Sequence, residues 1–225
     1  MGLFSKKQFT HPAKNPGCTE FEVNNWITSE FIIDKLVPVA GVHPFPLDEL
    51  SLMTATVCRF KPELIFEWGT NIGKSARIFL EIVNGFNLKC HIHSIDLPDD
   101  IFHSEHPKNE RGKLVRGMTG VTLHQADGVT RSLEIIAKEN PSGIVLFFVD
   151  GDHSYESVQK ELTAILSNVP NSVVLLHDTF FQSKNAGYNI GPHEAVRDVL
   201  AKQSIKYKTI STQLGLPGMT LVYKA

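Results

Sequence analysis

From residue 62 onward the chain alternates short apolar runs with longer segments whose apolar residues recur every three or four positions. That alternation is the mark of βαβ units and a parallel sheet. The runs at 64–68, 91–95 and 121–124 are short and bounded by polar residues, as strands of a half-covered sheet are. Those at 143–149 and 172–176 are apolar throughout, which predicts central strands buried on both faces. Helices are predicted over 72–83, around Leu162, Ile165 and Leu166, and around Ala195, Val196, Val199 and Leu200. Two further strands, 205–210 and 219–222, flank the turn-rich Gly-Leu-Pro-Gly at 215–218. Ahead of the sheet, Trp26, Ile27, Phe31 and Leu36 outline an amphipathic helix over 24–36 that Pro38 should end. Leu50, Met53 and Val57 outline a second helix after Pro46. Residues 1–17 carry no periodicity and read as a loose arm. The expected organisation is an N-terminal arm and helical lid over 1–50 and one α/β domain over 51–225.

Length changes this picture little, since 225 residues suit one α/β domain with a full core. Charge narrows the partners. A net charge of -2 with no long Lys/Arg run lacks the electrostatic footprint of a nucleic-acid binder. No apolar run approaches the ~20 residues of a membrane helix, and the first residues hold no signal-peptide core. Cys18, Cys58 and Cys90 are odd in number and lack Cys-x-x-Cys spacing, so the expectation is a cytoplasmic protein without nucleic-acid or membrane partners.

The chemistry starts at residues 64–75, Leu-Ile-Phe-Glu-Trp-Gly-Thr-Asn-Ile-Gly-Lys-Ser, where two glycines sit at a strand-to-helix junction. Gly69 permits a sharp turn and close approach to a ligand, and Gly73 lets the helix pack near the strand. Backbone N–H groups of such a junction face the ligand. A Walker A loop needs one more residue between Gly69 and Gly73-Lys74-Ser75, and a dinucleotide turn needs a glycine where Asn71 stands. The acid two positions before Gly69 suits a cationic amino group better than a pyrophosphate. Glu67 therefore points to an amino-acid-bearing cofactor.

Phe-Glu-Trp-Gly-Thr-Asn-Ile-Gly-Lys-Ser resembles the first motif of class I S-adenosylmethionine-dependent O-methyltransferases. Ser94-Ile-Asp96 resembles the second-strand end of that family, and Gln125-Ala-Asp127-Gly128 the third. Val149-Asp150-Gly-Asp-His-Ser-Tyr155 is similar to the fourth-strand motif of the branch that includes macrolide-sugar O-methyltransferases and cephalosporin-hydroxylase-like proteins. Leu176-His-Asp178-Thr is similar to its fifth-strand end. The resemblance spans about residues 50–224. It implies a Rossmann-like, seven-stranded, mostly parallel sheet with an antiparallel C-terminal hairpin and helices on both faces. It also implies S-adenosylmethionine as cofactor, held by Glu67, Gly69, Thr70, Asn71, Gly73, Ser75, Asp96 (ribose), Asp127 and Gly128 (adenine side) and Asp150. The acceptor would be a hydroxyl of a small molecule, and a homodimer is compatible with the family.

Asp150 and Asp178 each follow a central strand, so both should emerge at the carboxyl edge, where open α/β sheets bind ligands. Two carboxylates there can hold a divalent cation, Mg²⁺ by default, that activates the acceptor. The strongest metal-binding pattern of the family carries an acid or amide after the fifth-strand Asp, and this chain has Thr179. His153, next to Asp150 at that edge, is the candidate general base, and Asp150 its catalytic companion. His177 is a lesser candidate. Asp152 is expected to cap the following helix. Trp68 is expected in the core, and the alternating His91 and His93 on a partly exposed sheet face. His103 and His106, spaced His-x-x-His, read as solvated or substrate-facing. Two other readings stay open. Asp150-Gly-Asp152 is a D-x-D through which a metal-dependent glycosyltransferase could bind a nucleotide sugar, although this leaves residues 67–73 unexplained. A degenerate Rossmann-like domain could also serve only as a binding module.

Overall fold

The computed structural model describes residues 9–12, 23–101 and 108–225. Most of the arm, Cys18, His103 and His106 lie outside the described residues. Seven strands form one sheet: β1 (Leu64–Trp68), β2 (His91–Asp96), β3 (Val121–Gln125), β4 (Val145–Val149), β5 (Ser172–His177), β6 (Tyr207–Ser211) and β7 (Met219–Lys224). Their order is β3-β2-β1-β4-β5-β7-β6. The first five run parallel, and β7 is antiparallel to both β5 and β6. The expected Rossmann-like sheet with its C-terminal hairpin is thus the observed one.

Each central strand feeds two cores because its side chains alternate. On β4, Leu146 and Phe148 join Ile65, Ile92 and Leu175 on one face, and Phe147 and Val149 join Phe66, Trp68 and Leu176 on the other. The first face is covered by α1 (Asn25–Phe31), α2 (Val37–Ala40), α3 (Leu47–Phe60) and α4 (Lys74–Gly85). The second is covered by α5 (Gly128–Glu139), α6 (Tyr155–Asn168) and α7 (Gly191–Ala201). The boundary expected after residue 50 falls inside α3. No helix among the described residues is long and apolar enough to cross a membrane.

Several sequence expectations need correction. Pro38 does not end the first helix. A π turn over Ile32–Leu36 precedes it, and Pro38 falls in the first turn of α2, where a missing N–H is tolerated. Helical structure stops at Gly41, whose φ of 71° reverses the backbone. Trp26, expected on the apolar face, is 87% exposed. Helix α5 was not anticipated, because Val129, Leu133 and Ile136 are its only large apolar residues besides Ile135 and they are only partly buried. Its presence explains His93. Covered on that face, His93 is buried and stacks on Phe66 at 5.1 Å instead of facing solvent.

The sheet order reverses between β1 and β4, the crevice where open α/β sheets bind ligands. Gly69 leaves β1 there with φ 96°, and a Cβ on it would lie 2.3 Å from the Asp150 carbonyl oxygen. Its glycine is therefore required first by the neighbouring strand. Gly73 meets Val115 and Gly112 rather than a strand, and a Cβ on Gly128 would strike the Trp68 ring. Gly69→Ala should lower the free energy of unfolding by ~3 kcal/mol, from overpacking plus a disfavoured backbone region. A urea titration that leaves the midpoint of Gly69→Ala unchanged would show that β1 and β4 are not held this close.

Candidate active site at the carboxyl edge of the sheet

The end of β1 buries a carboxylate. Glu67 is fully buried, one of its oxygens accepts from Ser75 Oγ at 2.7 Å, and Oε2 has no hydrogen-bond partner. Burial pushes its carboxyl up to about 8, against the hydrogen bonds of Ser75 and Ser94. A buried acid with an orphan oxygen, at the mouth of a glycine turn, fits a cationic ligand group. Thr70 shares a 2.6 Å hydrogen bond with Ser94, which pins the turn to β2. Asn71 adopts φ 44°, and its carbonyl accepts from Gly112 N–H.

The other expected cofactor residues are brought to the same edge with partners of their own. Asp96 Oδ2 accepts from Arg111 Nε at 3.1 Å, and Oδ1 accepts from the Leu97 N–H. Arg111 also donates to Asp99 and to the Leu97 carbonyl, so the segment after β2 is tied to the β2 end. Asp127 caps α5 by accepting from the N–H and hydroxyl of Thr130. Beside it, a cleft of about 500 Å³ is lined by His124, Gln125, Asp127 and Arg131. Trp68 is in the core as expected, and its ring nitrogen donates to Ser132 Oγ.

The ends of β4 and β5 carry the densest group of titratable side chains. His177 Nδ1 lies 2.9 Å from Asp150 Oδ1, and its Nε2 lies 3.0 Å from Glu49 Oε2. Burial pulls this imidazole down, but the charge of Asp150 and the hydrogen bonds to Asp150 and Glu49 outweigh it and carry it to about 10. His153 was expected to work beside Asp150, yet its Nδ1 pairs with Asp178 Oδ2 at 2.9 Å. The Asp178 hydrogen bond raises the His153 imidazole above its ordinary value despite burial. Asp178 sits at φ 55°, and Tyr188 donates to its Oδ1 at 2.8 Å. Burial pushes the Asp178 carboxyl up, and the hydrogen bond and charge of the two histidines hold it down.

Sequence reasoning missed Glu49, Arg111 and Tyr188. Glu49 alone left a trace: it is an acid on the buried face of α3, beside Leu50 and Met53. Asp152 does not cap α6. Ser154 does, and Asp152 accepts from the Ser154 N–H and hydroxyl in the turn before it. Both Asp152 oxygens face Ser154 while Asp150 faces His177, so the D-x-D carboxylates do not converge on one ion. Thr179 is buried, and its hydroxyl is bonded to that of Thr220. Asp150, His177 and Asp178 do offer ligand atoms within 4.8 Å of one another. The set nevertheless fits Mg²⁺ poorly, because Mg²⁺ takes oxygen donors in a near-ideal octahedron and one arm here is an imidazole.

The strand order, the glycine turn at its reversal and the titratable edge define a Rossmann-like α/β methyltransferase architecture. The profile of a family described as a methyltransferase domain matches residues 66–179, half of the chain, and the chain belongs to that family. No curated protein matches it in sequence. Among solved structures it resembles the O-methyltransferase TomG from Streptomyces achromogenes, involved in tomaymycin synthesis and solved with SAM, at 18% identity and TM-score 0.54 over 89% of this chain and 96% of that one. It also resembles an O-methyltransferase from Bacillus cereus in complex with SAH, at 14% identity and TM-score 0.53, covering 88% and 90%. CalS11, a TDP-rhamnose 3'-O-methyltransferase of calicheamicin biosynthesis, matches at 17% identity and TM-score 0.53, covering 86% and 85%. At these identities the likeness is one of fold.

The buried Glu49–His177–Asp150 chain makes stability depend on pH. His177 is raised above its ordinary 6.5, so its contribution is complete below that pH and is lost as pH climbs through about 10. Glu67, raised from 4.5 to about 8, acts in the same direction between those values. Glu49→Gln should cost ~3 kcal/mol and flatten the decline between pH 6.5 and 10. Chemical denaturation across that range checks it, and equal slopes for both proteins would rule the coupling out.

Proposed function

We propose that this chain is an S-adenosylmethionine-dependent O-methyltransferase acting on the hydroxyl of a small molecule, with His153 as general base. The observation that carries the reading is the Asp178–His153 pair, 2.9 Å apart, at the same sheet edge as the orphaned carboxylate oxygen of Glu67. Membership of the methyltransferase-domain family and the SAM- and SAH-bound structural neighbours support it.

When bound, S-adenosylmethionine supplies a methyl group on a cationic sulfur. Glu67, with Gly69, Thr70, Asn71, Gly73 and Ser75 shaping the turn, would receive its methionine part. Asp96 would take the ribose, and Asp127 and Gly128 would border the adenine. Asp150 stands between cofactor and acceptor sides. His153 keeps Nδ1 on Asp178, which orients the ring and favours the charged form that arises when Nε2 takes the acceptor proton. Its side chain is 34% exposed. Residues 1–50 and 97–118 would shape the acceptor pocket. Phe45, whose ring lies 4.9 Å from that of His177, supports this for the first segment.

Two measurements test the reading. Titration calorimetry with S-adenosylhomocysteine should show binding with proton release near pH 7, because Glu67 must ionise to meet a cationic amino group. The release appears as a dependence of heat on buffer, and Glu67→Gln should lack it. No binding to the folded protein would sink the cofactor assignment, whereas binding without turnover on a panel of hydroxylated acceptors would favour a binding module. The base assignment is tested by kinetics. His153→Ala should lower kcat by ~10²-fold or more without weakening S-adenosylhomocysteine. In the wild type, kcat/KM should rise with pH along a limb above 6.5, and Asp178→Asn should move that limb to lower pH.

A further inference from the structure

The edge expected to hold a cation already has three of its four carboxylate oxygens paired. Asp178 Oδ2 faces His153 Nδ1 at 2.9 Å, and Asp178 Oδ1 accepts from the Tyr188 hydroxyl at 2.8 Å. Asp150 Oδ1 faces His177 Nδ1 at 2.9 Å. Among the described residues, Asp150 Oδ2 alone of the four carboxylate oxygens is left over for an ion.

The His177 ring sits where a charge would be wanted. Its Nδ1 is 2.9 Å from Asp150 and 3.6 Å from Asp178, so one ring nitrogen faces both carboxylates. Its other nitrogen is 3.0 Å from Glu49 Oε2. With both carboxylates ionised, two ring nitrogens that face carboxylate oxygens both donate, and an imidazole that donates twice is an imidazolium. The arrangement is rigid. Glu49 is 1% exposed, and its second oxygen accepts from the Gly218 N–H at 2.8 Å, which joins α3 to the turn before β7. Phe45 and Phe148 pack against the ring at 4.9 and 6.4 Å. To ligate a metal, His177 would have to give up the Nδ1 proton that Asp150 accepts.

We propose that the His177 ring, held between Glu49 and Asp150 by its two nitrogens, takes the place of a divalent cation between Asp150 and Asp178, so that this active site works without a metal. His177 is thereby a positioning residue. It fixes the Asp150 carboxylate and holds the local charge steady, leaving proton removal to His153. The inference rests on the O-methyltransferase reading for its consequence in turnover, but its central claim concerns ion binding and is measured without turnover.

The experiment uses the full chain near neutral pH with Mn²⁺ and Zn²⁺ as probes. Free Mn²⁺, followed by its paramagnetic resonance, should stay undiminished on adding wild-type protein at millimolar ion. Nitrogen-15 spectra should show both His177 ring nitrogens protonated, and Zn²⁺ should leave those signals in place. His177→Glu, which restores a third carboxylate, should bind Mn²⁺ at least ~10-fold more tightly than wild type. Stoichiometric loss of free Mn²⁺ with broadening of the wild-type His177 signals would overturn the proposal, as would displacement of those signals by Zn²⁺. A folded His177→Glu protein that binds Mn²⁺ no better than wild type would overturn it too. If that variant fails to fold, the wild-type spectra still decide. For a protein that turns over, methyl transfer should be unchanged by EDTA. A loss restored by Mg²⁺ would count against the metal-free site, while a failure to bind S-adenosylhomocysteine would count only against the cofactor reading.

Discussion

The approach of β1 to β4 at Gly69 and Asp150 sets the geometry on which everything at the carboxyl edge depends. Because the sheet order reverses there, no crossover covers the gap, and the two chains diverge from a backbone contact too close for any Cβ. One side of the divergence carries Glu67 and its turn. The other carries Asp150, and through β5 also His177 and Asp178. The glycine turn and the titratable group are thus placed by one steric constraint, at strand ends of a single sheet.

Charge is distributed with equal care. Glu67 is fully buried and bonded to Ser75, and the charges of Asp150 and Asp96 add to burial in raising its proton affinity. The β4 and β5 ends instead gather two acids and two histidines, joined by Glu49 from α3, and acids and histidines alternate along Glu49, His177, Asp178 and His153. A buried network of this kind contributes little to stability unless every member is satisfied. Here each histidine meets a carboxylate, and Tyr188 and Gly218 supply two of the remaining donors.

The strands were legible because apolar runs such as Val145–Val149 admit few alternatives, and the glycine turn was legible because its spacing excludes two other cofactor classes. Helix α5 escaped because it covers the outer part of the sheet and, of its four large apolar residues, fully buries only Ile135. The same omission misplaced His93. Residue identities within motifs were readable, but their pairing was not. Nothing local in the sequence says that His153 turns to Asp178 instead of Asp150, or that Asp152 spends both oxygens on Ser154. Glu49 was least readable of all, since its partner His177 lies 128 positions away and a single acid on an apolar helix face signals a buried partner without naming it.

That distance also bears on modularity. The family-matched segment, 66–179, holds the glycine turn and both strand-end acids. It contains neither Glu49 nor Gly218, which close the far side of His177. A unit cut at its borders would keep the recognisable motifs yet leave an imidazole nitrogen facing a void. Recombination or grafting that respects only motif borders would therefore break the centre. In this chain the structural unit around His177 is larger than the segment that the family profile marks out, and it includes helix α3.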